Sequence, residues 1–388
     1  MAYLLVVFAA IMLVVHLATL FIVIRRNASP HSTRHLRSAE AVTIVRPISQ
    51  DEPYIRQTLE STFHVDWPNL AIVFCAARET DPAVAVVRAL LDRHPEADAQ
   101  LLIGEARISD NPKLNNCVKG WSAARTDVVA FVDSNVLLPR DYLEIMMARW
   151  DEKTGMISAP ALGVAPGSFW AETECAILNT HQARWQLVAD AFGTGFAQGK
   201  NLMFRKSILD PLGGIAALAA EPAEDAAATK AIRQSGLGVR LAPMPFPQPL
   251  GAKTFRQVWN RHLRWAKLRR ATFPLQYMPE FLTGSFLPII AFVTGLLALG
   301  IDPGLPALAL AALWFGSELA TAHILGWHRS GVSPLALVIR DLLLPMLWIA
   351  GFSRQQFEWQ GHAMVLRRTP DRAVTAEQSG EAPRTITT

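Results

Sequence analysis

VVAFVDSN, residues 128–135, is the stretch that decides the fold: five apolar residues in a row, three of them β-branched, run into a carboxylate at Asp133. A run of this length and composition reads as a strand buried on both faces, and it delivers the Asp133 side chain to the strand's carboxyl end. Three similar runs precede it, AVTIVRPI (41–48), LAIVFCAA (70–77) and AQLLIGE (99–105), each separated from the next by a helix-length segment. That alternation predicts βαβ crossovers and a mainly parallel sheet, in which ligands bind beyond the carboxyl ends of the strands. Further strands are expected at Gly155 to Ala161 and Gly199 to Arg205, and helices at about 170–190 and 223–235. The proline-rich PMPFPQP (243–249) cannot be a helix interior and reads as the exit from the catalytic core. No internal repeat is visible.

The two ends of the chain have a different character. Residues 3–24 are 22 mostly apolar residues, about 33 Å as a helix, enough to cross a bilayer core of about 30 Å. The missing basic n-region and the length of the apolar run argue against a cleaved signal peptide. Arg25, Arg26, Arg34 and Arg37 follow at once, so the positive-inside rule puts the N-terminus outside and the next domain in the cytoplasm. Apolar residues return at 281–300 and 305–327, a plausible transmembrane hairpin joined by IDPG. A third segment, 335–352, carries Arg340, Asp341 and Pro345 near its middle. A full crossing there would leave the basic tail, Arg354 to Arg372, outside. The segment is therefore expected to dip into the membrane or lie in its interface, with Arg340 and Asp341 paired or near water. A third complete span with an external C-terminus is the alternative.

The expected organisation is an anchor at 1–26, a cytoplasmic domain at 38–250, an amphipathic interfacial segment at 251–280, a membrane region at 281–353 and a basic, disordered tail at 354–388. The 51% apolar content fits a multi-pass membrane protein, such as one of a bacterial inner membrane. Net charge is only +4, but residues 253–270 hold seven Lys or Arg and no acid. Such a local basic face suits anionic lipid rather than nucleic acid. Cys75, Cys117 and Cys175 are too few and too far apart for a disulfide framework or a thiolate metal site.

Several polar residues stand out, each with a plainer reading beside it. Asp133, with Ser134 and Asn135, could hold a hard cation or simply cap the turn after its strand. Asp81, in an Asp-Pro pair at a helix start, fits an N-cap. Asp225, beside Glu224 at the start of a helix, could be a general base or complement the helix dipole. Lys113, in NPKLNN, could reach phosphate or sit exposed at a helix start, and His181 could orient an acceptor or be an ordinary helical histidine. In RHLRW (261–265), Arg261, Arg264 and Trp265 suit an interfacial helix or a clamp that stacks on a bound ligand.

Taken in order, DP (81–82), NPKLNN (111–116), VDSN (132–135), QGKNLMFRK (198–206), ED (224–225) and RHLRW (261–265) resemble the ceramide glucosyltransferases and their bacterial relatives, glycosyltransferase family 21, over about residues 1–365. The resemblance implies an α/β fold of GT-A type and an inverting transferase that takes a UDP-sugar donor, UDP-glucose, to a membrane lipid acceptor, ceramide, at the bilayer with Mg²⁺ or Mn²⁺. It puts the nucleotide contact on Asp81, the metal and diphosphate on Asp133 and the base on Asp225. Arg261, Arg264 and Trp265 would clamp diphosphate and acceptor. Two departures stand out: Asp133-Ser134-Asn135 replaces the Asp-x-Asp of many related transferases, and His181-Gln182-Ala183-Arg184-Trp185 stands where the animal enzymes have His-Pro-Arg-Tyr. The competing functions are a hopanoid-associated transferase moving an N-acetylhexosamine to a phospholipid, a processive polysaccharide synthase, and an inactive membrane scaffold or lipid-binding protein.

Overall fold

The computed structural model describes residues 1–28, 40–48 and 52–353, and the backbone of a short hairpin, Gln356–Trp359 against His362–Val365. That hairpin falls in a stretch expected to be irregular. Arg34, Arg37 and the tail beyond the hairpin lie outside the described residues.

The strands are β1 (Val42–Ile48), β2 (Leu70–Ala76), β3 (Ala99–Ile103), β4 (Val128–Val132), β5 (Thr154–Ser158), β6 (Ala161–Pro166), β7 (Asn201–Arg205), β8 (Gly238–Leu241) and β9 (Phe246–Gly251). Seven of them form one sheet in the order β3-β2-β1-β4-β7-β5-β8. All run one way except β7, which is antiparallel to both β4 and β5. The expected mainly parallel sheet is what forms. Every residue of β1 and β4 is buried because both sheet faces are covered. In β4, Val128, Ala130 and Val132 enter one core with Tyr142 and Met146, while Val129 and Phe131 enter the other with Leu114 and Trp121.

The helices Pro82–Arg93 and Pro112–Ala123 start alike, with a capping residue and then proline at the first helical position. Asp81 accepts from Ala83 N at 2.9 Å, and Asn111 Oδ1 accepts from Leu114 N at 3.1 Å. Three expectations are corrected. The strand expected at Gly155 to Ala161 breaks at Pro160, and its second part, β6, joins a separate two-stranded sheet with β9. PMPFPQP is therefore core: Phe246 is fully buried, its ring 4.8 Å from that of Tyr142. The prolines of β9 are tolerated because this strand has one strand partner rather than two. The helix expected at 170–190 does form, running from Phe169 to Ala191 with a π turn at Ile177–Ala183 inside it.

The third correction concerns the membrane side. The anchor helix Ala2–Ala28 forms as expected, and among the described residues three helices, at Ala2–Asn27, Gly304–Ile324 and Ser333–Ala350, are long and apolar enough to cross a bilayer. The first arm of the expected hairpin is instead broken: Pro274–Leu282 and Phe286–Ala298 meet at 47°. At 13 residues, Phe286–Ala298 spans about 20 Å. Gly295 near its end packs against Ala2 and Val6 at the start of the anchor, so the two helices run antiparallel. At the other end of the anchor, Val23 packs with Ala322 and Trp327 and with Leu187 and Leu241 of the sheet domain. Arg26 there pairs with Asp190 at 2.5 Å. Helix Ser333–Ala350 touches the sheet domain at its start and the bent segment at its end. Ser333 Oγ donates to Glu172 at 2.6 Å, and Trp348 Nε1 donates to the Tyr277 carbonyl at 3.1 Å. Arg340 is paired, as expected, with Asp341 at 2.7 Å and with Glu318 at 2.6 and 2.9 Å.

Candidate active site

The antiparallel placement of β7 beside β4 assembles the site. Asp133 N donates to the Lys200 carbonyl at 3.0 Å, which sets the QGKN stretch against VDSN. The Asp133 carboxylate then takes Lys113 Nζ on one oxygen at 2.7 Å and Lys200 Nζ on the other at 2.8 Å. Lys200 also reaches Asn135 Oδ1 at 3.0 Å, and Lys113 reaches Glu224 Oε1 at 2.7 Å. The second oxygen of Glu224 accepts from Asn111 Nδ2 at 2.7 Å. Next to it, Asp225 accepts from Gly199 N and from Ala226 N, both at 2.8 Å. A Cβ at position 199 would stand 2.8 Å from Glu224 Oε1 and 3.3 Å from Lys113 Nζ, so any side chain there would displace this pair.

Two acids of this cluster are shifted in opposite directions. Burial pushes the Asp133 carboxyl up, but Lys113 and Lys200 outweigh it and hold the group far below the usual carboxylate range. For Lys113, burial is outweighed by Asp133 and Glu224, and its pKa rises. Asp225 goes the other way. Burial first, and the negative charge of Glu224 second, push it up to about 6 despite Lys113 and the two backbone donors. Two neighbouring acids, one locked as the anion and the other poised near neutrality, form the arrangement from which acid and base roles are read.

The loop after β4 is held from below by Arg46 of β1, fully buried in the middle of an apolar strand. Its guanidinium donates to the carbonyls of Asp133, Ser134 and Val136 at 2.9, 3.1 and 2.9 Å and to Thr62 Oγ1 at 2.8 Å. Sequence reasoning missed Arg46 and Lys200. The signal for the first was an arginine inside VTIVRPI, and for the second a glycine-lysine pair just ahead of a strand.

Helix Phe255–Thr272, started by a capping box between Thr254 and Gln257, brings RHLRW alongside. Arg261 pairs with the buried Glu174 at 2.8 Å, and its guanidinium lies 5.0 Å from the centre of the Trp265 ring. Burial, then Arg261, lowers the Arg264 guanidinium to about 10. Arg261 is also close enough to add to the lowering of the Lys200 pKa, behind burial and against Asp133, which ties this helix to the acid cluster.

Asp133, Lys113, Asp225 and Arg261 therefore converge. Asp81 stands apart, two strands away at the end of β2, where its carboxylate caps a helix. His181 is in the π turn facing the membrane-side elements, its Nε2 2.9 Å from Thr283 Oγ1. Asp133 was the expected metal ligand, yet both of its oxygens are held by lysines. Among the described residues no group of three or more His, Cys, Asp or Glu side chains gathers as a metal site. As arranged, these donors do not fit a divalent cation.

A family model described as glycosyl transferase family 21 matches residues 2–371. The chain belongs to glycosyl transferase family 21. Among family relatives, ceramide glucosyltransferase 1 of Caenorhabditis elegans is 29% identical over 270 residues, 69% of this chain and 58% of that protein. Ceramide glucosyltransferase 3 of the same organism is 25% identical over 346 residues, 87% of this chain and 75% of that protein. The chain thus spans little more than half the length of the first of these relatives. Among solved structures, the mannosyltransferase PcManGT from Pyrobaculum calidifontis, in complex with GDP-Man and Mn²⁺, superposes with a TM-score of 0.50 at 18% identity, over 87% of this chain and 99% of that one. The likeness establishes the GT-A fold for this family 21 chain.

Proposed function

We propose that the chain is a membrane-bound inverting glucosyltransferase that moves glucose from UDP-glucose to the primary hydroxyl of ceramide, giving glucosylceramide. The observation that carries this reading is Asp225, raised to about 6 at the edge of a lysine-neutralised acid cluster. At neutral pH it is ionised and still basic enough to take a proton. Asp225 accepts the hydroxyl proton, and the freed oxygen pair attacks the anomeric carbon on the face opposite UDP. The bond to the diphosphate breaks with its electron pair leaving on UDP, so one displacement inverts the centre. Lys113, Lys200 and Arg261 supply the positive charge that the departing diphosphate needs. Asp81 is assigned to the nucleotide, and Arg264 and Trp265 to the diphosphate and acceptor. The Mg²⁺ or Mn²⁺ implied by the resemblance would first have to displace a lysine from Asp133.

The names of the two nematode relatives support ceramide as acceptor and glucose as the transferred sugar. The contact of Ser333 with Glu172 at one end of helix Ser333–Ala350, and of Trp348 with Tyr277, next to helix Phe255–Thr272, at the other, support the interfacial reading of that segment, with the C-terminus on the same side as the catalytic domain, in the cytoplasm. Mass spectrometry of products from purified protein given several UDP-sugars with ceramide, diacylglycerol and phospholipid tests the assignment. Glucosylceramide is expected, and an N-acetylhexosaminyl phospholipid or a polymer would overturn it. For the topology, Thr375→Cys in sealed cells should resist an impermeant thiol reagent. Labelling from outside would contradict the interfacial reading.

A further inference from the structure

Depth in the membrane region can be counted along three helices. The end of Phe286–Ala298 packs on the start of the anchor, where a Cβ on Gly295 would stand 2.8 Å from Val6 Cγ2, and helix Gly304–Ile324 begins after a short link. Those three ends share the face away from the sheet domain. From that face, at the helical rise, His16, Ser285 and Ser317 each lie about 20 Å in. They belong to one layer: His16 Nε2 is 3.1 Å from Ser317 Oγ, and Ser285 N donates to Asp341 at 2.8 Å. A bilayer core is about 30 Å thick, so this layer is still inside it. The outer faces of the helices agree. The anchor's exposed residues stay uncharged through Phe21, and its first exposed cation, Arg25, comes about 35 Å in. On Gly304–Ile324 the first exposed ionisable residue, His323, comes at about 29 Å.

Two short side chains show what else stands at this level. Asp341, bonded to Ser285, brings the middle of Ser333–Ala350 there. Ala176, packed with Leu319 about 22 Å into its helix, brings helix Phe169–Ala191 of the sheet domain there. Neither side chain is long enough for its backbone to lie among headgroups. Helix Ser333–Ala350 is also one-sided. Leu337, Arg340, Asp341 and Leu347 are buried, whereas Leu335, Leu342 and Ile349, two turns apart on one face, are 55%, 45% and 64% exposed. We propose that Phe169–Ala191 and Ser333–Ala350 are sunk together about 10 Å into the acyl region of the leaflet on the sheet-domain side, and that the face of Leu335, Leu342 and Ile349 meets its acyl chains. Lipid rather than a second copy of this chain covers that face, because it continues the outer surface of the anchor. There Val15 and Phe21, which bracket this depth, are exposed and apolar too. The charges at this level fit the same surroundings, since Arg340 is shared by Glu318 and Asp341 and none of the three faces outward. This rests on the interfacial reading of Ser333–Ala350 proposed above and adds its depth, and it is independent of which sugar or acceptor is used.

The test places a thiol-reactive fluorophore at Leu335→Cys, Leu342→Cys or Ile349→Cys, one at a time, in the full chain in phosphatidylcholine vesicles. Cys75, Cys117 and Cys175 are buried, so the introduced thiol takes the label. Quenchers are phosphatidylcholines with a nitroxide either on the headgroup or half-way down an acyl chain. Variants that melt with the wild type are used, and Met346→Cys, on the same face, replaces any that does not. All three labels are expected to lose more fluorescence to the mid-chain nitroxide than to the headgroup nitroxide, and by similar amounts. Stronger quenching of all three by the headgroup nitroxide would overturn the depth while leaving the interfacial reading standing. A complete crossing would separate Leu335 from Ile349 by about 21 Å along the membrane normal. Headgroup quenching at both of these, with mid-chain quenching at Leu342 alone, would therefore bring down the interfacial reading and the depth with it. Labels quenched by neither nitroxide would mean that a second copy of the chain covers the face, which overturns the contact with lipid.

Discussion

Two buried charge networks in this molecule have similar ingredients and opposite outcomes. On the membrane side, Arg340 bridges Glu318 and Asp341 and reaches Thr180, Arg184 lies 3.8 Å from Glu318 and 3.0 Å from His16 Nδ1, and the ion-paired side chains are at most 2% exposed. That network ties the anchor, the π-turn helix and two C-terminal helices together. At the sheet edge, Lys113, Asp133, Lys200 and Glu224 are also paired, but they stay 9–19% exposed, and Asp225 beside them is left in an environment that resists its charge. The first network closes on itself and acts as a lock. The second leaves one acid unbalanced next to solvent, which is what chemistry requires.

If the lock reading is right, Arg340→Met leaves Glu318 and Asp341 buried without their shared cation. Stability should fall by about 3–5 kcal/mol, read as thermal unfolding in detergent. A variant as stable as the wild type would reduce the network to ornament. On the other side of the comparison, Lys200→Met should weaken UDP-glucose binding about tenfold to a hundredfold by calorimetry, with little thermal cost. Unchanged affinity would place Lys200 with the structural lysines instead.

The poised acid gives a pH signature. Its folded value, about 6, lies above the ordinary carboxylate range, so the fold disfavours its anion. The base is lost as pH falls through 6, and kcat/KM should drop about tenfold per unit below that point. The sign for stability is opposite. The penalty is present above pH 6 and relieved below it, so the melting temperature of the wild type should rise relative to that of Asp225→Asn as pH falls from 7 to 5. A pH profile flat down to 5 would contradict the environment described here. The smallest expected effect separates the two readings of Asp81. Asp81→Ala should cost about 1 kcal/mol through the lost helix cap, whereas Asp81→Asn keeps the cap and isolates the contact with donor. If Asp81→Asn binds UDP-glucose as the wild type does, Asp81 is a cap alone.

The sheet was legible because its strands are apolar and β-branched along their whole length, and that follows from burial on both faces. Asp133 was legible for the same reason, as the first charge after such a strand. Lys200 was not, because nothing local announces that β7 runs antiparallel into the neighbouring position. Pairing between strands almost 70 residues apart is a tertiary fact. The strand at Phe246–Gly251 was hidden by its prolines, which suit a strand with a single strand partner but read as a linker. The pairing of Arg340 with Asp341 was foreseeable, since an ionised arginine near the middle of an apolar helix needs a partner, whereas the share taken by Glu318 depended on packing.

The central claim, that Asp225 is the base beside an already neutralised diphosphate site, is tested most directly by measuring kcat and UDP-glucose affinity of Asp225→Asn side by side. The account expects kcat to fall about 10²- to 10⁴-fold, the scale of a general base, while the donor binds as tightly as before. Turnover close to that of the wild type, or donor affinity lost in step with turnover, would contradict it.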